Sequence, residues 1–98
     1  MSSKELYQHT KQIQLNEWKT GMILFRTQAL AARTHVQVEL GKQVKILEGK
    51  LEEGKTKLEE LHKASGSNFE STKKGFEITW ESISSTFEDT AEKFKATA

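Results

Sequence analysis

Residues 64–70 read Ala-Ser-Gly-Ser-Asn-Phe-Glu, and this stretch separates two segments that both have the apolar spacing of an α-helix. Gly66 suits the left-handed conformation that often follows a helix end. Ser67 and Glu70 have the spacing of a capping box, in which two side chains satisfy backbone groups at a helix start. The stretch therefore predicts that one helix stops here and another begins.

The whole chain is predicted to be a single all-α domain over 1–98. A long helix over about 3–64 is followed by a turn at 65–67 and a shorter helix over about 68–95. The second helix would fold back along the first, which gives an antiparallel helical hairpin of the coiled-coil type. Such hairpins are expected to form an oligomer.

The first predicted helix carries apolar residues on two sides. One line repeats at steps of three and four from Leu15 to Val36, as in a heptad pattern. The second predicted helix is only about 40 Å long at 1.5 Å per residue, so it cannot cover residues before about 36. A helix that is apolar on two faces needs two partners. We therefore expect a homo-oligomer whose interface contains Leu15, Trp18, Met22, Phe25, Leu24, Ala31 and Val38.

Bulky aromatic residues form a narrow stripe along the second predicted helix. Burial of such side chains is worth about 1.5–3 kcal/mol each, which is enough to hold a helix that is marginal alone. In the hairpin, Gly54 would make room for the ring of Phe76. The residues expected to pack in the hairpin are Leu51, Gly54, Leu58, Leu61, Phe69, Phe76, Trp80, Ile83, Phe87 and Phe94.

Glycines inside the long helix leave a second architecture open. Gly21 and Gly41 are poor helix formers, and each is a point at which the helix could break. A break would let the chain return on itself as a three-helix bundle. In solution, such a bundle would be a compact monomer, whereas the hairpin would form an oligomer.

Composition limits the functions that the chain can have. Fifteen Lys and Arg residues against fourteen Asp and Glu residues leave a net charge of only +1, which is too small to attract the chain to nucleic acid. The chain has neither Cys nor Pro, and only 35% of its residues are hydrophobic. The first residues lack the apolar region of a signal peptide. We expect a cytoplasmic protein without nucleic-acid partners.

Residues that could carry chemistry are sparse. His9, His35 and His62 lie about 26 residues apart, so within one continuous helix they cannot share a metal site. The motifs of metalloproteases, phosphate-binding loops and nucleophilic hydrolases do not occur. No enzymatic activity, metal or cofactor is expected.

The second predicted helix also permits contact with a membrane. Its aromatic stripe lies opposite a side rich in Ser and Thr, the composition of helices that bind loosely packed lipid. Four Lys residues against six acidic residues argue against attraction to anionic lipid. Reversible membrane binding is therefore the alternative function.

Several short motifs resemble a family of small bacterial and cyanobacterial coiled-coil proteins linked to stress responses. The similarity runs through Lys-Leu-Glu-Glu-Leu at 57–61, Ala-Ser-Gly at 64–66, Lys-Gly-Phe at 74–76 and Trp80. The resemblance implies a cytoplasmic helical protein with no catalytic residue or cofactor to carry over. The predicted function is thus a non-enzymatic, self-associating protein with a structural or adaptor role in stress protection, whose partner is its own copy or another protein.

Overall fold

The segment predicted as one long helix forms two helices in the structure. The computed structural model describes residues 2–97, which form α1 (Ser3–Ala31), α2 (Thr34–Lys63) and α3 (Ser67–Thr97). Within these residues there is no β-strand. The chain is therefore all-helical, as predicted, but with three helices rather than two.

The break between α1 and α2 lies at Ala32 and Arg33, and not at Gly21 or Gly41. Ala32 has φ −74° and ψ 161°, and Arg33 has φ −61° and ψ 147°. These values lie in the extended region that every L-residue can adopt, so the break needs no glycine. The two glycines lie inside α1 and α2.

Local hydrogen bonds close the connection between α1 and α2. The backbone N–H groups of Val36 and Gln37 donate to the carbonyl oxygen of Arg33 at 3.0 and 2.9 Å. The side-chain amide of Gln37 donates to the carbonyl oxygen of Leu30 at 2.7 Å, which satisfies one of the free acceptors at the end of α1. The reversal lets α1 bury its apolar seam, and this burial is what favours two helices over one.

Contacts between the helices show that the chain reverses direction twice. Lys4 on α1 donates to the carbonyl oxygen of Ala64, and Arg26 further along α1 pairs with Glu48 on α2. Gln43 on α2 bonds to Thr90 on α3. The three helices thus run up, down and up, in an elongated molecule of 52 × 21 × 17 Å.

The turn before α3 agrees with the sequence prediction. α2 ends at Lys63, and α3 begins at Ser67, one residue earlier than predicted. Gly66 has φ +60°, the left-handed conformation expected of it. The backbone of Phe69 donates to the carbonyl oxygen of Gly66 at 3.2 Å.

The core extends over all three helices. Its main cluster takes residues from every helix, and a smaller cluster of Ala29, Leu40 and Val44 lies near the α1–α2 connection. The expectation that residues before 36 receive no cover from their own chain is therefore wrong, because α1 folds against α2 and α3. The buried residues of the main cluster are Leu15, Trp18, Leu47, Leu51, Leu58, Leu61, Phe76, Trp80 and Ile83.

Gly54 and Gly21 allow α3 to approach the other two helices closely. A β-carbon at Gly54 would lie 2.5 Å from Cδ1 of Ile83, and one at Gly21 would lie 2.5 Å from Cζ of Phe87. Gly54 was expected to face Phe76 instead, so the packing of α3 on α2 is displaced by roughly one or two helical turns from that expectation.

Candidate interaction surface

The inner face of α1 is covered by the chain itself. Leu15 and Trp18 are buried, and Met22 and Phe25 are half-buried against the two core clusters. These four residues were predicted to lie in an oligomer interface. The structure corrects that prediction by placing them against α2 and α3.

Aromatic contacts join the inner face of α1 to α3. The rings of Trp18 and Trp80 have centroids 5.0 Å apart. The ring of Phe25 lies 5.2 Å from that of Phe87 and 4.8 Å from that of Phe94. The aromatic stripe of α3 therefore packs on α1 as well as on α2.

The residues predicted to pack in the hairpin all lie in the core or against it. Leu51, Gly54, Leu58 and Leu61 are buried on α2. On α3, the buried members are Phe76, Trp80 and Ile83, while Phe69 and Phe87 pack against the main cluster and Phe94 against the smaller one.

The opposite side of α1, which we call the outer face of α1, carries exposed aliphatic side chains. Leu6 is 55%, Ile13 is 46% and Leu24 is 59% exposed. Ala31, also predicted as an interface residue, is exposed on the same face. Val38 is 65% exposed, but it lies on α2 and so does not continue the line. The outer face of α1 carries the apolar and hydroxyl side chains of Leu6, Ile13, Thr20, Ile23, Leu24, Thr27, Leu30 and Ala31, together with the charged Glu17.

The hydroxyl groups on the outer face of α1 bond to their own helix. Oγ1 of Thr20 donates to the carbonyl oxygen of Asn16 at 3.1 Å, and Oγ1 of Thr27 donates to that of Ile23 at 3.0 Å. Such bonds satisfy the hydroxyl donor within the helix. The two hydroxyl donors therefore need no hydrogen bond to water at this surface.

The second half of α1 has almost no charge. Between Thr20 and Ala32 the one charged residue is Arg26, in a chain of which 30% is charged. Nη2 of Arg26 lies 2.5 Å from Oε1 of Glu48, so its charge is paired on the side facing α2. The second half of α1 thus leaves an aliphatic surface on one side of the molecule, and Glu17 is the exposed charged residue that precedes it on the same side of the helix.

A solvent-open groove of about 470 Å³ lies between α1 and α2. The reversal of the chain brings His9 on α1 and His62 on α2 to this same groove. Nδ1 of His62 is in close contact with Oε1 of the buried Gln8. The groove is lined by Glu5, Gln8, His9, Gln12, Leu15, Lys19, Lys55, Leu58, Glu59 and His62.

The charges in the groove balance one another. Two Lys and two Glu residues line it, over a floor that includes Leu15 and Leu58. In residues 2–97, no three His, Cys, Asp or Glu side chains are placed so that they could hold a metal ion. The groove therefore shows no preference for an anion or a cation, and we assign it no ligand.

Tyr7 on α1 lies in surroundings that shift its pKa. Its hydroxyl group is buried without a hydrogen-bond partner, and its ring meets that of Phe76 edge-on at 6.1 Å. Burial, and to a smaller degree the charge of Glu77, raises the pKa of Tyr7. Lys11 and Lys73 lie over its ring at 5.2 and 4.6 Å.

Buried polar contacts between helices were not anticipated from the sequence. Gln43 donates to Thr90 at 2.9 Å, and Nε1 of Trp80 donates to Oε1 of Gln14 at 2.6 Å. The sequence does contain a sign of the Gln43–Thr90 contact, because each of these polar residues occupies a position in the apolar stripe of its helix. Two polar residues on facing stripes can satisfy each other.

No helix within residues 2–97 has the length and apolarity needed to cross a membrane. The sequence matches no family model, no curated protein and no solved structure. What can be inferred about function therefore comes from the residues and their arrangement.

Proposed function

We propose that the chain is a non-enzymatic protein that associates with its own copies and has a structural or adaptor role. The observation that carries this proposal is the outer face of α1, where Leu6, Ile13 and Leu24 remain about half exposed. Contiguous apolar patches on soluble proteins commonly mark interaction sites. Scattered exposed aliphatic residues, such as Ile46 and Ile78 on the other helices, carry no such meaning.

The proposal places the interface on a different side of α1 from the one predicted with Trp18 and Phe25. Those residues have partners within the chain, whereas the outer face of α1 has none among residues 2–97. Leu24 and Ala31 remain as members of the proposed interface. The association thus needs no opening of the bundle.

Sedimentation equilibrium of the wild-type chain over a wide range of concentration tests the proposal. We expect the average mass to rise with concentration above 11.2 kDa, the mass of one chain. A mass that stays at 11.2 kDa at the highest concentration attained would contradict self-association. Circular dichroism of the same samples shows whether the helices are intact.

We also propose a role in stress protection within the cytoplasm, because residues 57–80 resemble the stress-linked coiled-coil family. The side chains described above do not indicate which molecules such a protein would protect. Quantification of the protein in its source cells before and after osmotic or oxidative stress tests this part. A constant level would argue against it, without affecting the proposed association.

Membrane binding through α3 remains the alternative function, and the packing of α3 weighs against it. Phe76 is 0% and Trp80 is 5% exposed, so α3 would have to leave the bundle to present its aromatic stripe to lipid. Flotation of the intact chain with neutral, highly curved vesicles distinguishes the two functions. We expect the chain to remain in the unbound fraction, and co-flotation would favour the alternative.

A further inference from the structure

The apolar residues on the outer face of α1 are spaced symmetrically. Leu6 and Ile13 are seven residues apart, Ile13 and Leu24 are eleven apart, and Leu24 and Ala31 are again seven apart. Steps of seven and eleven residues both bring a side chain back to nearly the same side of a helix. The spacing therefore reads the same in either direction along α1.

We propose that two copies of the chain pair through the outer faces of their α1 helices, which run in opposite directions about a two-fold axis. This inference rests on the proposed function and specifies its interface. A two-fold interface is self-complementary, so that when residue i meets residue j, residue j also meets residue i. The symmetric spacing meets this requirement about the midpoint between Trp18 and Lys19.

The register of the pair follows from that midpoint. Leu6 of each copy faces Ala31 of the other, because both lie equally far from the midpoint. Ile13 faces Leu24 for the same reason. In each pair a large side chain meets either a small residue or another aliphatic side chain, and all four residues are exposed in the single chain. The pairing therefore buries exposed apolar surface and requires no change in the bundle.

The surface chemistry favours a second copy over an anionic membrane. A helix that binds anionic lipid carries Lys and Arg residues beside its apolar face. On α1, Arg26 is instead held by Glu48 of α2, and Lys19 lines the groove between α1 and α2, so neither flanks the outer face. The threonine hydroxyls bond within α1, which suits a dry contact between two helices.

The pairing is expected to be reversible. Only one helix from each copy contributes, so the contact is smaller than the interface of about 1,600 Å² that is typical of stable complexes. Glu17 is exposed on the outer face of α1 itself, four residues after Ile13 and close to the midpoint, so the two Glu17 carboxylates come near each other and weaken the pair. The dimer should therefore dissociate on dilution.

Charge substitutions test the register. Leu24→Glu alone and Ile13→Lys alone should each raise the dimer dissociation constant by roughly tenfold or more, because a charge is brought against an aliphatic side chain of the other copy. The double variant Ile13→Lys with Leu24→Glu should recover association, since each Lys then faces a Glu. In a parallel pair, Lys would face Lys and Glu would face Glu, so the double variant would remain monomeric.

A matched control comes from α3. Ile78 is 72% exposed and lies outside the proposed interface, so Ile78→Glu should leave the dissociation constant unchanged. Circular dichroism of all variants should show unchanged helix content, because every substituted residue is exposed. An equal loss of association in Ile78→Glu and Leu24→Glu would overturn the proposed interface.

Spin labels give a second measurement that does not depend on weakening the dimer. The chain has no cysteine, so Asn16→Cys and Gln28→Cys each introduce a single labelling site on α1. In the antiparallel pair the two Asn16 positions lie about 8 Å apart along the helix axis, and the two Gln28 positions about 28 Å apart, at 1.5 Å per residue. Two parallel helices in register give no axial offset at either site. Equal distances for the two labels would overturn the antiparallel arrangement.

Failure of this inference can be told apart from failure of self-association. If wild type, Leu24→Glu and Ile13→Lys all dimerise equally well, the proposed interface is contradicted. Self-association, and with it the proposed function, is then still supported. Wild-type chains that stay at 11.2 kDa contradict both. If the monomer instead floats with neutral vesicles, and Leu24→Glu abolishes flotation, then the outer face of α1 serves a membrane and the inference is overturned.

Discussion

The side-chain amide of Gln43 on α2 donates a hydrogen bond of 2.9 Å to Oγ1 of Thr90 on α3, and both residues are buried. Thr90 in turn donates to the carbonyl oxygen of Thr86 at 2.8 Å, so its hydroxyl both accepts and donates a hydrogen bond. A polar pair inside an apolar stripe is satisfied in one register only. It therefore helps to fix how α3 lies along α2.

Thr90→Val should lower the free energy of unfolding by about 1–3 kcal/mol, because the buried amide of Gln43 then has no acceptor. Combining it with Gln43→Leu removes both polar groups. The double variant should be less destabilised than the sum of the two single variants. Chemical denaturation of the four proteins measures the coupling, and strictly additive effects would show that the bond contributes nothing.

Gly54→Ala and Gly49→Ala should differ in their effect on stability. Both glycines lie inside α2, where alanine is favoured by about 0.5–1 kcal/mol. A β-carbon at Gly49 meets nothing within 4 Å, whereas one at Gly54 lies 2.5 Å from Ile83, which is fully buried. Overpacking of a core costs about 1–3 kcal/mol. We expect Gly49→Ala to raise the melting temperature above that of wild type. Gly54→Ala should melt at a lower temperature than Gly49→Ala. Equal melting temperatures of the two variants would contradict close packing at Gly54.

Phe25→Ala and Leu24→Ala compare two neighbours, of which one packs in the bundle and the other is exposed. Phe25 packs on Phe87 and Phe94, so its truncation should cost about 2 kcal/mol, less than the 3–5 kcal/mol of a fully buried Phe. Leu24 is exposed, so its truncation should change the free energy of unfolding by no more than about 0.5 kcal/mol in the monomer. Denaturation at low protein concentration measures both, and a larger loss for Leu24→Ala would contradict the orientation of α1.

Tyr7→Phe should stabilise the chain by about 1 kcal/mol, because it removes a buried hydroxyl that has no partner. The raised pKa of Tyr7 adds a dependence on pH. Above about pH 10 the unfolded chain loses the tyrosine proton before the folded chain does, so stability falls as pH rises through the pKa of the folded state. The difference in stability between Tyr7→Phe and wild type should therefore widen in alkali. A constant difference across this range would show that Tyr7 titrates normally.

How much of the molecule the sequence predicts varies along the chain. The turn at 65–67 is predicted from the residue type of Gly66. In the structure Gly66 has the one left-handed backbone conformation among residues 2–97. The start of α1 follows from Ser2, whose hydroxyl oxygen accepts from the N–H of Glu5 at 3.1 Å. Local chemistry at each of these points is strong enough to be read without the rest of the fold.

The break at Ala32 and Arg33 could not be predicted in the same way. The apolar spacing continues across it, from Ala29 through Ala32 to Val36, and neither residue of the break disfavours helix by its type. What favours the break is the burial of Leu15 and Trp18 by distant parts of the chain, which the local pattern does not contain. For the same reason, the inner face of α1 was recognised as apolar but was assigned to the wrong partner.

The contact between Trp18 and Trp80 gives the chain its own optical reporter of tertiary structure. These are the only two tryptophans in the sequence, and one belongs to the first helix and the other to the last. Their rings lie 5.0 Å apart and are tilted by 47°, a geometry that couples the two indole transitions. Near-ultraviolet dichroism and indole fluorescence will therefore follow the docking of α1 on α3, whereas the far-ultraviolet dichroism of the backbone follows helix formation. Comparing the two signals during refolding would reveal whether the helices form before they assemble.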